Sequence, residues 1–223
     1  ERTVARLGAR HLKTCQVPVI FQAEIARGLL SHLLRALSGG SLYRKASFLL
    51  DQLGKQIFPT NVQIDERPHL PGGLGSAPFD NEGVATRARE IVNQGVLQSY
   101  VLDSYAARRL DMQPTGNAGG VHNLFIGHDE VNYDDLCQHM GTGLVVTEVM
   151  GQGVNIVTGD YSRGASGFWI ENGEIQYPVE EITLASTLQE IFKGVQAIAN
   201  DVDTRGNIYS GSWLIDHMMV AGE

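Results

Sequence analysis

Cysteine is scarce in this chain, with only Cys15 and Cys137 among 223 residues. Two cysteines in so long a sequence favour a reducing compartment. Neither belongs to a Cys-x-x-Cys pair, and no His-x-x-x-His or His-Glu-x-x-His motif occurs. A local zinc motif is therefore excluded, and a metal site could form only from histidines that meet in three dimensions.

Long apolar runs and basic runs are missing as well. No segment approaches the roughly 20 apolar residues of a membrane-spanning helix, and no signal-peptide hydrophobic region is present. The chain carries 17 basic against 25 acidic residues, a net charge of -8. We therefore predict a cytosolic protein that has no membrane partner and makes no direct contact with nucleic acid.

The composition is that of a globular domain, with 43% hydrophobic and 19% charged residues. A chain of 223 residues can bury a full core, so residues 1–223 are expected to form one domain. The sequence begins at Glu1 without an initiator methionine, inside a segment with helical spacing. It is interpreted as a fragment of a longer protein, whose natural C-terminus is expected at residues 219–223.

A strand followed by a strong helix is predicted near the N-terminus. The β-branched run 17–21 indicates a buried strand. An apolar stripe with i, i+4 spacing follows at Ile25, Leu29, Leu33 and Leu37. This helix is expected to end at Gly39–Gly40, and a weaker helix is expected over residues 44–53.

Most of the remaining elements are predicted to be strands. The pattern indicates a hairpin of 86–93 and 96–102 about Gln94–Gly95, a strand at 122–126, further strands at 144–149, 155–158, 167–171, 174–178 and 213–221, and helices at 104–110, 133–140 and 187–199. Asn172–Gly173 is a strong type I′ hairpin signal. The predicted class is α+β and β-rich, with a mostly antiparallel, barrel-like or strongly curved sheet and a few packed helices.

Two glycine-rich segments are predicted to be loops. Residues 67–83 contain three prolines and four glycines, and so long a loop is usually functional or mobile. Residues 115–120 are interpreted as a structural turn, because a phosphate-binding loop would need a lysine and a following helix. His122 and Asn123, next in the chain, are expected on opposite faces of a strand.

Several long segments resemble the C-terminal domain of the TldD/PmbA metallopeptidase family, and within it the PmbA (TldE) branch. They are GGSLYRKASFL at 39–49, PTGNAGGVHN at 114–123, MGTGLVVTEVMGQG at 140–153, and the runs 159–164 and 171–175. The resemblance extends from about residue 18 to the end of the chain. It implies that an N-terminal domain, which the family has, is absent from this sequence.

The family's metal helix is the point at which this sequence departs from the TldD branch. That branch resembles a zinc peptidase with a His-Glu-x-x-x-His helix and a cysteine as third ligand. The corresponding positions here are Ser31, His32 and Ala36. Segment 204–212, which matches the region of the cysteine, contains none. Serine and alanine cannot hold zinc, so no metal is expected in this chain.

The resemblance implies a role as the non-zinc subunit of a heteromeric TldD–TldE (PmbA) peptidase. The zinc is then expected in a TldD-type partner, and the substrates are expected to be unfolded peptides. The family is linked to leader-peptide removal from microcin precursors and to breakdown of an unstructured antitoxin. An older label connects it with modulation of DNA gyrase.

Four residues are candidates for peptide contact. His32 occupies the position of the family's catalytic glutamate, but a lone imidazole on a helix face is more often structural. Asp160, Tyr161 and Arg163 lie in a polar segment, 159–164, interpreted as a tight turn between strands. They could hold a peptide backbone or carboxylate, or Asp160 and Arg163 could simply stabilise their own turn.

Two alternative functions remain open on the sequence. The first is an autonomous metallopeptidase with an unrecognised site that includes His32, His122 or His139. The second is a binding protein that modulates DNA gyrase, for which the acidic net charge offers no support.

Overall fold

The computed structural model describes residues 3–222. Its helices are α1 (Ala23–Leu37), α2 (Gly39–Tyr43), α3 (Ser104–Arg109), α4 (Tyr133–Met140) and α5 (Leu188–Lys193). Its strands are β1 (Cys15–Phe21), β2 (Ile64–Glu66), β3 (Arg89–Asn93), β4 (Val96–Leu97), β5 (Leu124–Ile126), β6 (Gly143–Met150), β7 (Asp160–Glu171), β8 (Glu174–Thr187), β9 (Val195–Ile198), β10 (Ile208–Tyr209) and β11 (Trp213–Ala221).

Five strands close into a barrel. The hydrogen-bonded order is β1-β6-β7-β8-β11, and β11 pairs back onto β1 along register pairs from Cys15↔Val220 to Phe21↔Trp213. Only β1 and β6 run parallel in this ring. β9 extends the sheet from β11. Closure leaves these five strands without a free edge, and the predicted α+β class with a mostly antiparallel, barrel-like sheet is confirmed.

A second, smaller sheet has the order β10-β5-β2-β3-β4. Its β3–β4 hairpin turns at Gln94 and Gly95, whose φ angles of 47° and 76° are those of a type I′ turn. The same turn joins β7 to β8, where Asn172 and Gly173 have φ angles of 51° and 77°. Both predicted hairpin turns are therefore confirmed.

Helix α1 packs its apolar face into the main core. Leu29, Leu33 and Leu37 of the predicted stripe are each no more than 2% exposed, and Ala26, Leu30 and Ala36 lie beside them with no exposure. Burial of each leucine contributes roughly 1.5–3 kcal/mol to folding before conformational entropy is subtracted. The prediction of a core-packing helix is confirmed, and α1 is a rigid support for its exposed side chains.

The chain after α1 differs from the prediction. Leu37 ends α1, and a second helix, α2, begins at Gly39 because the Ser38 side chain accepts a hydrogen bond from the Ser41 N–H. Residues 44–53 form turns rather than the predicted helix. Lys45 adopts a φ of 56°, a left-handed conformation that cannot continue a right-handed helix.

Three further predictions are wrong in the β-rich half. Residues 155–158 form a turn rather than a strand, and segment 159–164 is not a tight turn because β7 already begins at Asp160. The predicted helix 187–199 is shorter in the structure. A capping box between Thr187 and Glu190 begins α5, which ends at Lys193, and β9 follows. For segment 159–164 and for residues 195–198, pairing with neighbouring strands overrides the local propensity.

No helix within residues 3–222 has the length and apolar character needed to cross a membrane.

Candidate functional site

The three positions of the degenerate zinc motif lie on α1, but they face different surroundings. Ser31 is exposed, and its hydroxyl donates to the Arg27 carbonyl oxygen at 3.1 Å. His32 is half-buried, whereas Ala36 has no exposure and belongs to the core. Two ligands of one zinc ion must reach the same point. Position 36 lies in the core, so a larger side chain there would have to displace the atoms that pack around Ala36.

A cleft of about 380 Å³ lies along the exposed side of α1. One wall consists of Glu24, Arg27, Gly28 and Ser31, and the other of residues 205–208. The segment predicted to match the family's cysteine region therefore faces the helix that matches its histidines.

Two arginines that line this cleft, Arg27 and Arg205, are paired with Asp203. Asp203 is 8% exposed, and its carboxylate lies 3.3 Å from the Arg27 guanidinium and accepts a hydrogen bond from Arg205 Nε at 2.9 Å. Arg205 also pairs with Glu24. The hydrogen bond from Arg205 holds the pKa of the Asp203 carboxyl below its usual range.

A larger cleft of about 520 Å³ adjoins the first at the start of α1, where both include Glu24 and Arg205. Gln22 and Tyr133 line it, and the Gln22 side-chain amide donates to the Tyr133 hydroxyl at 3.2 Å. Burial raises the pKa of that tyrosine well above its usual range. The sequence analysis missed this cleft because its residues come from segments more than 60 positions apart.

Asp201 and Ser212 stabilise the start of α1 behind the larger cleft. The Ser212 hydroxyl accepts from the Ala23 N–H at 3.0 Å and donates to Asp201 Oδ2 at 2.6 Å. Asp201 also accepts from the Ser212 N–H at 2.8 Å. The segment after β9 is thereby held against the helix N-terminus, and the two walls of the clefts are held together.

The side chains at the motif positions do not fit a zinc ion. A hydroxyl already bonded to its own helix, a single imidazole and a buried methyl group offer at most one good zinc ligand. Across residues 3–222, no three His, Cys, Asp or Glu side chains are grouped so that they could hold a metal ion.

The structure brings three of the four candidate peptide-contact residues together. The rings of His32 and Tyr161 meet edge to face with their centroids 6.2 Å apart. Burial, followed by the charges of Arg163 and Arg35, lowers the pKa of the His32 imidazole. Asp160 is separate from this group, because it points to the other face of β7 and accepts from the Thr158 hydroxyl at 2.6 Å.

The other histidines proposed for a scattered metal site lie elsewhere. His122 is 9% exposed, with its ring nitrogens 3.0 Å and 3.1 Å from the carbonyl oxygens of Gly75 and Gly116. His139 lines a separate cleft beside Pro18, Met140 and Asp216. The expectation that His122 and Asn123 lie on opposite faces of a strand is wrong, because both residues precede β5. Both side chains bind the backbone of Gly75, whose N–H donates to Asn123 Oδ1 at 2.9 Å.

A family comparison places this barrel, with α1 and the clefts beside it, in a metallopeptidase family. The sequence profile described as the PmbA/TldA metallopeptidase C-terminal domain matches residues 14–222. The chain therefore belongs to that family, and the family predicted from the sequence is confirmed.

Curated relatives place the resemblance in the PmbA branch. Metalloprotease PmbA of Escherichia coli O157:H7 is 53% identical over 222 residues, which are 100% of this chain and 49% of that protein. A PmbA homologue of Haemophilus influenzae (strain ATCC 51907 / DSM 11121 / KW20 / Rd) is 56% identical over 223 residues, 100% of this chain and 49% of that protein. The chain spans about half the length of the curated relatives that it matches.

Solved structures share the fold. A Bacteroides thetaiotaomicron VPI-5482 protein, under the name of a proposed modulator of DNA gyrase, superposes with a TM-score of 0.95 at 31% identity, covering 100% of this chain and 50% of that one. TldE from Thermococcus kodakarensis superposes with a TM-score of 0.83 over 95% of this chain and 51% of that one. At 24% identity, this second likeness concerns the fold alone.

Proposed function

We propose that this chain is part of the non-catalytic subunit of a two-subunit, TldD–TldE-type peptidase, in which the partner supplies the zinc. The observation that carries the proposal is that Ser31, His32 and Ala36, at the positions that the resemblance assigns to the metal helix, do not fit a zinc ion. In the cleft beside α1, Arg27 and Arg205 are each paired with Asp203. Such a site can contact a peptide but has no means to activate water.

Its substrate class is proposed to be extended, unfolded peptide. The two adjoining clefts, of about 520 and 380 Å³, form a polar depression along α1 that a peptide segment could follow. Strand β10 is the last in the order of the second sheet and lies beside the smaller cleft, where its backbone groups could pair with an extended peptide of any sequence. Leader peptides and disordered antitoxins have this extended character. The two unbonded cysteines, Cys15 and Cys137, fit a cytosolic location.

The test compares the full-length protein alone with a mixture containing its TldD-type partner. Zinc content and hydrolysis of an unfolded peptide are measured on the same samples, with and without a chelator. We expect no zinc and no hydrolysis from the protein alone, and chelator-sensitive hydrolysis on mixing. His139→Ala, which lies away from the two clefts beside α1, serves as the control variant and is expected to leave the mixture active.

Two results would contradict the proposal. Zinc and chelator-sensitive hydrolysis by this protein alone, at the rate of the mixture, would show an autonomous metallopeptidase. Absence of hydrolysis from the mixture as well would exclude a peptidase subunit and leave a binding role, of which gyrase modulation is the candidate to test next.

A further inference from the structure

A cluster of hydrogen-bond donors lies where α1 crosses the start of β7. His32 and Arg35 are three positions apart on α1, so their side chains share one side of the helix. Tyr161 and Arg163 are two positions apart on β7 and project from the same face of that strand. The ring contact between His32 and Tyr161 joins the two pairs.

Among residues 3–222, no acidic side chain forms an ion pair with this cluster. Arg163 Nε donates to the Met150 carbonyl oxygen at 3.2 Å, which leaves its two terminal nitrogens without a bond in the described part of the chain. Neither the guanidinium of Arg35 nor the imidazole of His32 has a hydrogen bond or an ion pair within residues 3–222. Both arginines lie close enough to His32 for their charges to act on its imidazole, so the cluster is positively charged.

Tyr161 adds a further donor to the cluster. The residue is 2% exposed, and its hydroxyl has no hydrogen-bond partner among residues 3–222. The hydroxyl oxygen is not itself fully buried, so it can donate to a bound acceptor. Burial raises the pKa of this phenol to about 12, so the hydroxyl keeps its proton and remains a donor at neutral pH.

We propose that Arg35, His32, Tyr161 and Arg163 form a binding site for a carboxylate group of the peptide. A guanidinium can hold both oxygens of a carboxylate, and the phenol and imidazole N–H groups can donate to the remaining lone pairs. The carboxylate comes either from the peptide's C-terminus or from an Asp or Glu side chain. This inference rests on the proposed function, since it names the chemical feature that the subunit recognises in its substrate.

The test measures peptide binding to the mixture of the full-length protein and its TldD-type partner. A chelator removes zinc beforehand, so that the peptide stays intact and its carboxylate cannot bind a metal. Fluorescence anisotropy compares three labelled peptides of equal length: one with a free C-terminus and glutamates, one with a C-terminal amide, and one with each glutamate replaced by glutamine. The two modified peptides distinguish the two sources of carboxylate.

The variants Arg163→Met and Arg35→Met each remove one positive charge from the cluster. Arg35 is exposed and makes no side-chain bond in the described residues, so its replacement leaves folding intact. Arg108→Met is the matched control, because Arg108 is an exposed arginine on α3, away from the cluster. We expect about tenfold weaker binding of the first peptide by each cluster variant and no change with the control.

One of the modified peptides is expected to bind the wild-type mixture about tenfold more weakly and to be insensitive to Arg163→Met. Equal binding of all three peptides, unaffected by either cluster variant, would overturn the carboxylate site while leaving the subunit proposal standing. Absence of binding by any of the peptides would overturn both.

Discussion

The imidazole of His32 lies edge-on to the phenol ring of Tyr161, with a centroid separation of 6.2 Å and an interplanar angle of 74°. The contact joins the exposed side of α1 to the first residues of β7. It also places a titratable group between a buried ring and two arginines, Arg35 and Arg163. Protonation of His32 is therefore unfavourable in the folded protein.

The pH dependence of stability follows from that arrangement. Burial first, and the arginine charges second, lower the pKa of His32 in the folded state. The unfolded chain then binds more protons, so the free energy of unfolding falls as pH decreases through the ordinary histidine pKa towards the lowered one. We expect urea unfolding between about pH 8 and about pH 5 to show this loss, and His32→Gln to lack it. If the free energy of unfolding changed with pH in the same way in the wild type and in His32→Gln, the prediction would be contradicted.

Asp203 is expected to stabilise the contact between α1 and the segment after β9. Asp203→Asn removes the charge that faces Arg27 and Arg205, and should lower the free energy of unfolding by about 1–2 kcal/mol at neutral pH. Because the carboxyl pKa is held low, this stabilisation should be lost only as pH falls through the folded-state value. Chemical denaturation measures both effects.

Asp51→Asn is the control for this prediction. Asp51 is exposed and has a φ of 58°, a conformation that asparagine also tolerates, so its replacement should change stability by less than about 0.5 kcal/mol. Equal effects of the two substitutions would show that the ion pairs of Asp203 contribute nothing.

Among the carboxylates of the second sheet, Glu66 is expected to be the one whose replacement destabilises the protein most. It has no exposure, accepts from the Asn117 side chain at 2.8 Å and the His122 N–H at 2.7 Å, and lies 3.2 Å from Arg89 Nε. Glu66→Gln leaves Arg89, whose side chain is only 14% exposed, without its carboxylate partner, so we expect a loss of about 3 kcal/mol in denaturant unfolding. The exposed Glu174→Gln is the control, and a loss no larger than the control's would refute the argument.

Restoring the motif residues should not restore a zinc site. The triple variant Ser31→His, His32→Glu and Ala36→His places one imidazole in the core, where Ala36 has no exposure. We expect destabilisation of about 1–3 kcal/mol and no zinc retained after dialysis, as measured by mass spectrometry. Ser31→His alone should be nearly neutral because Ser31 is exposed. One tightly held zinc per triple-variant chain would contradict the prediction.

Local sequence determined much of this structure. Helix α1 forms where the apolar spacing predicts it, because its leucines recur on one face and can all be buried against the core. Asn172–Gly173 and Gln94–Gly95 form their hairpin turns because those residues tolerate the left-handed conformation that a type I′ turn requires. Helix α4 and strand β11 have the bounds that the pattern predicts. The assignment of Ser31, His32 and Ala36 to the family's metal-helix positions stays a prediction from the resemblance.

Tertiary structure decided what local sequence could not. Closure of β11 onto β1 joins segments about 200 residues apart, and pairing with β8 makes a strand of residues 160–164, which have turn propensity. That pairing determines that Tyr161 and Arg163 face His32 while Asp160 does not. The clefts beside α1 exist only because residues 201–208 return to the helix. Side-chain direction on a strand depends on its register with distant partners, and no local pattern encodes that register.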